Sequence, residues 1–132
     1  MYISVDPRSS TPLYVQVKEQ MVLALATGTL QVGDQLPTVR ELAARLRINP
    51  NTVARVYREL QVEGLLASRQ GSGTFVADTA RQAGAAEGQA IMRQRLAEIA
   101  VLGKTLGLGV EDMEALLREA WSKSLLEVTP DA

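Results

Sequence analysis

Residues 49–60, NPNTVARVYREL, carry two patterns at once. Val53, Val56, Tyr57 and Leu60 recur at helical spacing and form an apolar stripe. Asn49, Asn51, Thr52, Arg55 and Arg58 set amides, a hydroxyl and guanidinium groups away from that stripe. Asn49 suits the N-cap of a helix, and Pro50 suits its first turn, where a missing N–H costs nothing. Gly64 marks the stop. Just upstream, Thr38-Val39-Arg40-Glu41 is a capping box: the Thr hydroxyl can serve the Glu41 amide, and the Glu41 side chain can reach back to Thr38. A short helix follows, with Val39, Leu42, Ala43 and Leu46 on one face, broken at Arg47-Ile48-Asn49. Two short helices joined by a tight turn have helix-turn-helix spacing.

The flanks extend this reading in both directions. LLASRQGSGTFVA, residues 65–77, predicts two short strands, 65–70 and 74–77, joined by Gly71-Ser72-Gly73. A hairpin directly behind the second helix gives a winged helix-turn-helix. Upstream, Leu13, Val17, Met21 and Leu25, with Val22 beside them, predict a helix capped by Thr11, opened by Pro12 and ended at Gly28. LQVGDQLP, residues 30–37, is a turn-rich connector. Downstream, DTARQAGAAEG (78–88) reads as a hinge. A helix over 89–106 follows, with Met92, Leu96, Ile99 and Leu106 on one stripe and Leu102 beside it. GLGV (107–110) breaks it, and a last helix over 111–126 is expected to bury Met113, Leu116, Leu117, Ala120 and Trp121. The expected fold is mostly α with a small β-hairpin. A winged helix-turn-helix domain spans 11–79 and a short α-helical dimerisation region spans 80–132. Two helices are too few to enclose a core of their own, so Met92, Leu96, Ile99, Leu106, Leu117 and Trp121 are the candidate dimer interface.

Composition narrows the chemistry. The 132 residues include no Cys and no His, which removes disulfides, thiolate nucleophiles, His bases and His- or Cys-based metal sites. No metal and no cofactor are expected. No apolar run approaches the ~18 residues of a membrane span, and the N-terminus lacks the pattern of a signal peptide, so a cytoplasmic location is expected. The net charge is −1, but the charge is unevenly placed. Residues 40–69 hold Arg40, Arg45, Arg47, Arg55, Arg58 and Arg69 against Glu41, Glu59 and Glu63, whereas the chain beyond residue 79 is acidic. A local basic patch can hold phosphates on a molecule that is acidic overall.

Each candidate site has a plainer reading. A polar helix face is ordinarily a solvated one. Behind a helix-turn-helix pattern and ahead of a wing, the balance reverses, because Asn, Thr and Arg can hydrogen-bond base edges and phosphates. QGSG (70–73) lacks the lysine and the following helix of a phosphate loop, so it is a hairpin turn. Glu111, Asp112 and Glu114 sit at a helix start, where acids favour the dipole. Trp121 reads as packing. Beside the DNA-binding reading stand a winged-helix protein-interaction module and, well behind, a small carboxylate enzyme. The module would need no arginine cluster at 40, 55, 58 and 69.

PLYVQV, LPTVRELAARL, NPNTVARVYRELQVEGLL and RQGSGTFV, in this order and spacing between Pro12 and Val76, resemble the DNA-binding domain of the GntR family of bacterial transcription regulators. The short helical tail is similar to the YtrA-like subfamily, which lacks the large effector domain of other members. The resemblance implies a homodimeric regulator, taken here as a repressor on a palindromic operator in double-stranded DNA, with a small-molecule effector allowed. By the same resemblance Arg40 contacts DNA, Asn49, Asn51 and Thr52 form the polar start of the recognition helix, and Gln70 and Gly71 form the wing tip near the minor groove. Arg55 follows Ala54, the position where some relatives carry an arginine, and Arg58 and Arg69 complete the basic set. Gly71 and Gly73 would allow a tight turn and close approach to DNA. Arg47 replaces a glycine common in the inter-helix turn.

Overall fold

The computed structural model describes residues 2–124. It contains α1 (Leu13–Thr27), α2 (Val39–Leu46), α3 (Pro50–Val62), β1 (Leu66–Arg69), β2 (Gly73–Val76), α4 (Ala80–Thr105) and α5 (Val110–Ser124). The chain divides into two compact units, the first running to Ile91 and the second beginning at Met92.

The first unit is built around the stripes of α1 and α3. Val17, Met21, Val22 and Leu25 from α1 and Val53, Val56, Tyr57 and Leu60 from α3 are buried, with Leu42, Ala43, Leu65, Leu66 and Val76 closing the core. Full burial of each large aliphatic side chain contributes about 1.5–3 kcal/mol, so this aliphatic set can hold a small domain with little aromatic help. Thr11 does not cap α1. Pro12 occupies the N-cap, no side chain bonds the first turn there, and the Thr11 carbonyl instead accepts from Gln16 Nε2 at 2.9 Å. At the other end Gly28 takes the left-handed conformation expected of a helix stop, with φ 80°.

The capping box forms. Glu41 N donates to Thr38 Oγ1 at 3.1 Å, and the Thr38 hydroxyl donates to Glu41 Oε1 at 3.1 Å. Asn49 Oδ1 accepts from Asn51 N at 2.8 Å and starts α3. Between the two helices Arg47 stands at φ 57°, ψ 47° and donates its N–H to Ala43 O and Ala44 O. It is the one non-glycine residue with positive φ among the described residues. Such a conformation costs a side-chain-bearing residue about 1–2 kcal/mol. The cost is offset by the caps on both sides, which require the chain to reverse within three residues. Tyr57 Oη donates to Pro37 O at 2.7 Å and ties α3 to the segment before α2; burial pushes its pKa up.

The wing is an antiparallel hairpin with Leu66 opposite Val76 and Arg69 opposite Gly73. The first strand is one residue shorter at each end than the sequence pattern suggests, and the second keeps its expected length but begins one residue earlier, at Gly73. The connector 30–37 is more than a set of turns. Leu36 N donates to Thr74 O at 2.8 Å, Val76 N to Asp34 O at 2.8 Å and Gly33 N to Val76 O at 3.0 Å. Residues 33–36 thus line the free edge of β2, an exposed row of backbone groups that otherwise invites foreign pairing.

The hinge expected at 78–88 is helix. Thr79 Oγ1 donates to Gly64 O at 2.6 Å, and α4 runs without a break from Ala80. Ala80 is buried, and Ala83 and Ile91 pack against the core. A Cβ added at Gly84 would lie 3.1 Å from Ala26 N, so the missing side chain lets α4 approach the α1 backbone closely. The Gly/Ala composition is a close-packing stripe, not a flexible joint.

In the second unit α4 and α5 form a hairpin that turns at Gly107 (φ 77°). Asp112 Oδ2 accepts from Gly109 N at 2.9 Å and caps α5. A Cβ on Gly103 would fall 2.6 Å from Met113 Sδ, so the helices meet closely there. Met113 is half-buried. The expected burial of Leu116, Leu117, Ala120 and Trp121 is not found in one chain, where all four are exposed. Residues 125 and 126, expected to end the last helix, lie outside the described residues.

Candidate nucleic-acid interface

The first unit presents the polar groups that the sequence singles out. Arg40 lies in the first turn of α2 and is exposed. On α3, Asn51, Arg55 and Arg58 are exposed and Thr52 is half-buried, opposite the buried stripe. Asn49 is exposed, but its Oδ1 is committed to the cap. Gln70, Gly71, Ser72 and Gly73 form the exposed wing tip, with Gly71 at φ 77° and Gly73 at φ 117°. Arg69, at the base of that tip, lays its guanidinium 4.5 Å from the Phe75 ring centroid. The stacked plane leaves guanidinium edges available as donors.

Arg55 is engaged differently from its neighbours. Its guanidinium sits 3.6 Å from the Tyr14 ring centroid and its Nε donates to Glu59 Oε1 at 3.3 Å. Glu59 Oε2 accepts from Lys18 Nζ at 3.1 Å, and Lys18 also donates to Glu63 Oε1 at 2.8 Å. This chain of charges joins α1 to the side of α3. Lys18 hydrogen bonds, helped by Arg55, hold the Glu59 carboxyl below its usual range. Burial opposes the charge on Lys18, but its bonds to Glu63 and Glu59 outweigh that and raise its pKa. The sequence reading missed Tyr14, Lys18 and Gln35 as supports of this surface. Their partners lie 37 to 45 residues away in sequence, and no local pattern announces such pairs.

The tail residues expected at a dimer interface are apolar and open to solvent in one chain. Met92, Leu96, Ile99, Leu106, Leu117 and Trp121 are 47–66% exposed. Leu117 and Trp121, with Glu114, Arg118 and Ser122, line a shallow surface depression on α5. Among the described residues no group of carboxylates is placed to hold a metal ion, and no helix is long and apolar enough to cross a membrane.

Two short helices in helix-turn-helix order, a hairpin behind the second, and exposed amides and arginines on that second helix define a winged helix-turn-helix DNA-binding module. Comparison with known proteins agrees. The profile of the family described as bacterial regulatory proteins, gntR family, matches residues 13–76. The HTH-type transcriptional repressor YtrA of Bacillus subtilis is 34% identical, over 89% of this chain and 90% of its own length. A crystal structure described as a transcriptional antiterminator from Listeria monocytogenes EGD-e superposes with a TM-score of 0.70 at 28% identity, covering 91% of this chain and 90% of that one. The DNA-binding domain of AraR, solved in complex with operator ORX1, superposes with a TM-score of 0.51 at 32% identity, covering 58% of this chain and 99% of that one. The chain belongs to the GntR family, in its YtrA-like subfamily, and is a DNA-binding transcription regulator.

Proposed function

We propose that this regulator is a cytoplasmic repressor that binds a palindromic operator as a homodimer. The observation that carries the dimer is the apolar face of α4 and α5, about half to two-thirds exposed in one chain on a unit whose described residues form two helices. A second copy covers it by two-fold pairing of Met92, Leu96, Ile99, Leu106, Leu117 and Trp121, and two-fold pairing calls for a two-fold operator. In each half-site α3 enters the major groove N-terminus first. Asn51 and Thr52 read base edges or the adjacent phosphate, Arg40 and Arg58 meet phosphate, and the tip of the wing with Arg69 lies toward the flanking minor groove. Repression fits the similarity to a named repressor, and any small-molecule effector would act by shifting this assembly.

Salt titration on operator and random duplex tests the assignment. Arg58→Ala should weaken both alike and reduce the salt slope by about one unit. Asn51→Ala should cost about 1–3 kcal/mol on operator and little on random DNA. Parent-like operator binding by both Asn51→Ala and Thr52→Ala would reduce this helix face to a solvated surface. A monomeric mass at micromolar concentration would overturn the dimer.

A further inference from the structure

Gln35 belongs to no recognition element, yet its side chain reaches the wing tip. Its backbone stands opposite Phe75 in an isolated bridge, held by Leu36 N to Thr74 O at 2.8 Å and Val76 N to Asp34 O at 2.8 Å. From there Nε2 crosses to the turn and donates to Ser72 O at 2.8 Å. The amide nitrogen fills the space where Gly73 has no side chain: a Cβ there would be 2.9 Å from Gln35 Nε2. Gly73 also stands at φ 117°, which side-chain-bearing residues rarely adopt. One glycine thus meets two requirements, the turn and the room for the amide.

The position of Gln35 along the chain adds to this. Leu36, Pro37 and Thr38 follow it and lead into α2, with Leu36 in the core and Thr38 capping the helix. The hydrogen bond to Ser72 therefore runs from a segment anchored to the helix-turn-helix to the far end of a two-stranded hairpin. A two-stranded hairpin is marginal by itself, so its tip needs such a tether to hold one orientation.

We propose that Gln35 is a positioning residue for the wing: its carboxamide ties the Ser72–Gly73 turn to the helix-turn-helix and so sets where Arg69, Gln70 and Gly71 meet DNA, without touching DNA itself. The inference rests on the DNA-binding reading above.

The test uses the full chain and Gln35→Met, which keeps the side-chain length and removes the donor. Without DNA, amide exchange at residues 71–73 should quicken while the melting temperature stays near the parent's. With operator, affinity should fall about fivefold, because the freed turn must then be ordered on binding. A double-mutant cycle supplies the readout that a merely structural role would not move. Arg69→Ala should weaken operator binding in the parent and have much less effect in the Gln35→Met background, because a displaced tip no longer delivers Arg69. Full additivity of the two substitutions would overturn the proposal, as would parent-like operator affinity of Gln35→Met. So would a fall in melting temperature as large as that of the core variant Leu36→Ala. Failure of the parent itself to bind duplex DNA would instead sink the DNA-binding reading, and this proposal with it.

Discussion

The two units use the same kinds of residue to opposite ends. In the first, Val17, Met21, Leu25, Val53 and Leu60 are at most 1% exposed. In the second, Met92, Leu96, Ile99, Leu117 and Trp121 have comparable spacing and hydrophobicity but remain 47–66% exposed. The first unit has three helices, a hairpin and the first turns of α4 to close on itself. The described residues of the second form two helices, which meet closely at Gly103 and Met113. Apolar periodicity says that a face will be covered, and the number of elements within reach says whether the chain can cover it alone.

The largest expected effect comes from separating the units. A chain ending at Ile91 should stay folded as a monomer, because the core and its α4 cover are intact. Its operator affinity should drop by about 10²–10⁴, the usual loss when two linked contacts become one. A chain ending at residue 79 should melt well below it, since Ala80, Gly84 and Ile91 would be gone. Equal melting of the two fragments would show that α4 adds nothing to the first unit. Sedimentation, thermal melts and operator titration read all three quantities.

Matched substitutions sharpen the contrast. Leu60→Ala should cost about 2–5 kcal/mol in denaturant unfolding, as for a fully enclosed leucine. Leu117→Ala should leave the stability of the first unit unchanged and raise the dimer dissociation constant, measured by dilution. A similar unfolding loss at both sites would mean that the tail buries its own face.

Two glycines of α4 offer a smaller and opposite pair. Gly84→Val should destabilise by about 1–3 kcal/mol, because the new methyls meet the α1 backbone at Ala26. Gly88→Ala should stabilise by up to about 1 kcal/mol, because its Cβ would sit 3.9 Å from Ala26 Cβ, an ordinary contact, and alanine is the better helix former. Both are read from thermal or urea unfolding. Stabilisation by Gly84→Val would restore the hinge reading.

The smallest change is expected with pH, since the ion pairs that join α1 to α3 are partly exposed and screened. The Glu59 carboxyl is lowered in the fold. Its contribution is therefore present above the ordinary carboxylate pKa of 4.5 and is lost as pH falls through the lower folded value. Lys18 is raised, so its contribution is present below its ordinary 10.5 and is lost as pH rises through the folded value. Glu59→Gln should flatten the acid side of the stability profile. An unchanged acid limb would mean that the cluster contributes nothing measurable.

Much of this architecture follows from local pattern. The caps at Thr38 and Asn49, the stops at Gly28 and Gly64, the glycine turn of the wing and the three stripes of the first unit are each decided within a few residues, because capping, backbone freedom and helical period are short-range effects. The arginines and amides on α2, α3 and the wing are legible in the same way, since a face opposite a buried stripe must be exposed. Tertiary structure decided the rest. The Gly/Ala run at 78–88 looked flexible by composition, and whether glycine loosens a helix or seats it against a neighbour depends on the neighbour, here Ala26. Arg55, one cation among six from Arg40 to Arg69 in the sequence, lies on Tyr14. Gln35 passed as part of a connector until β2 lay beside it. In each case the deciding partner lies tens of residues away along the chain. Close packing, aromatic stacking and a tether between segments come into being only when the fold brings both partners together.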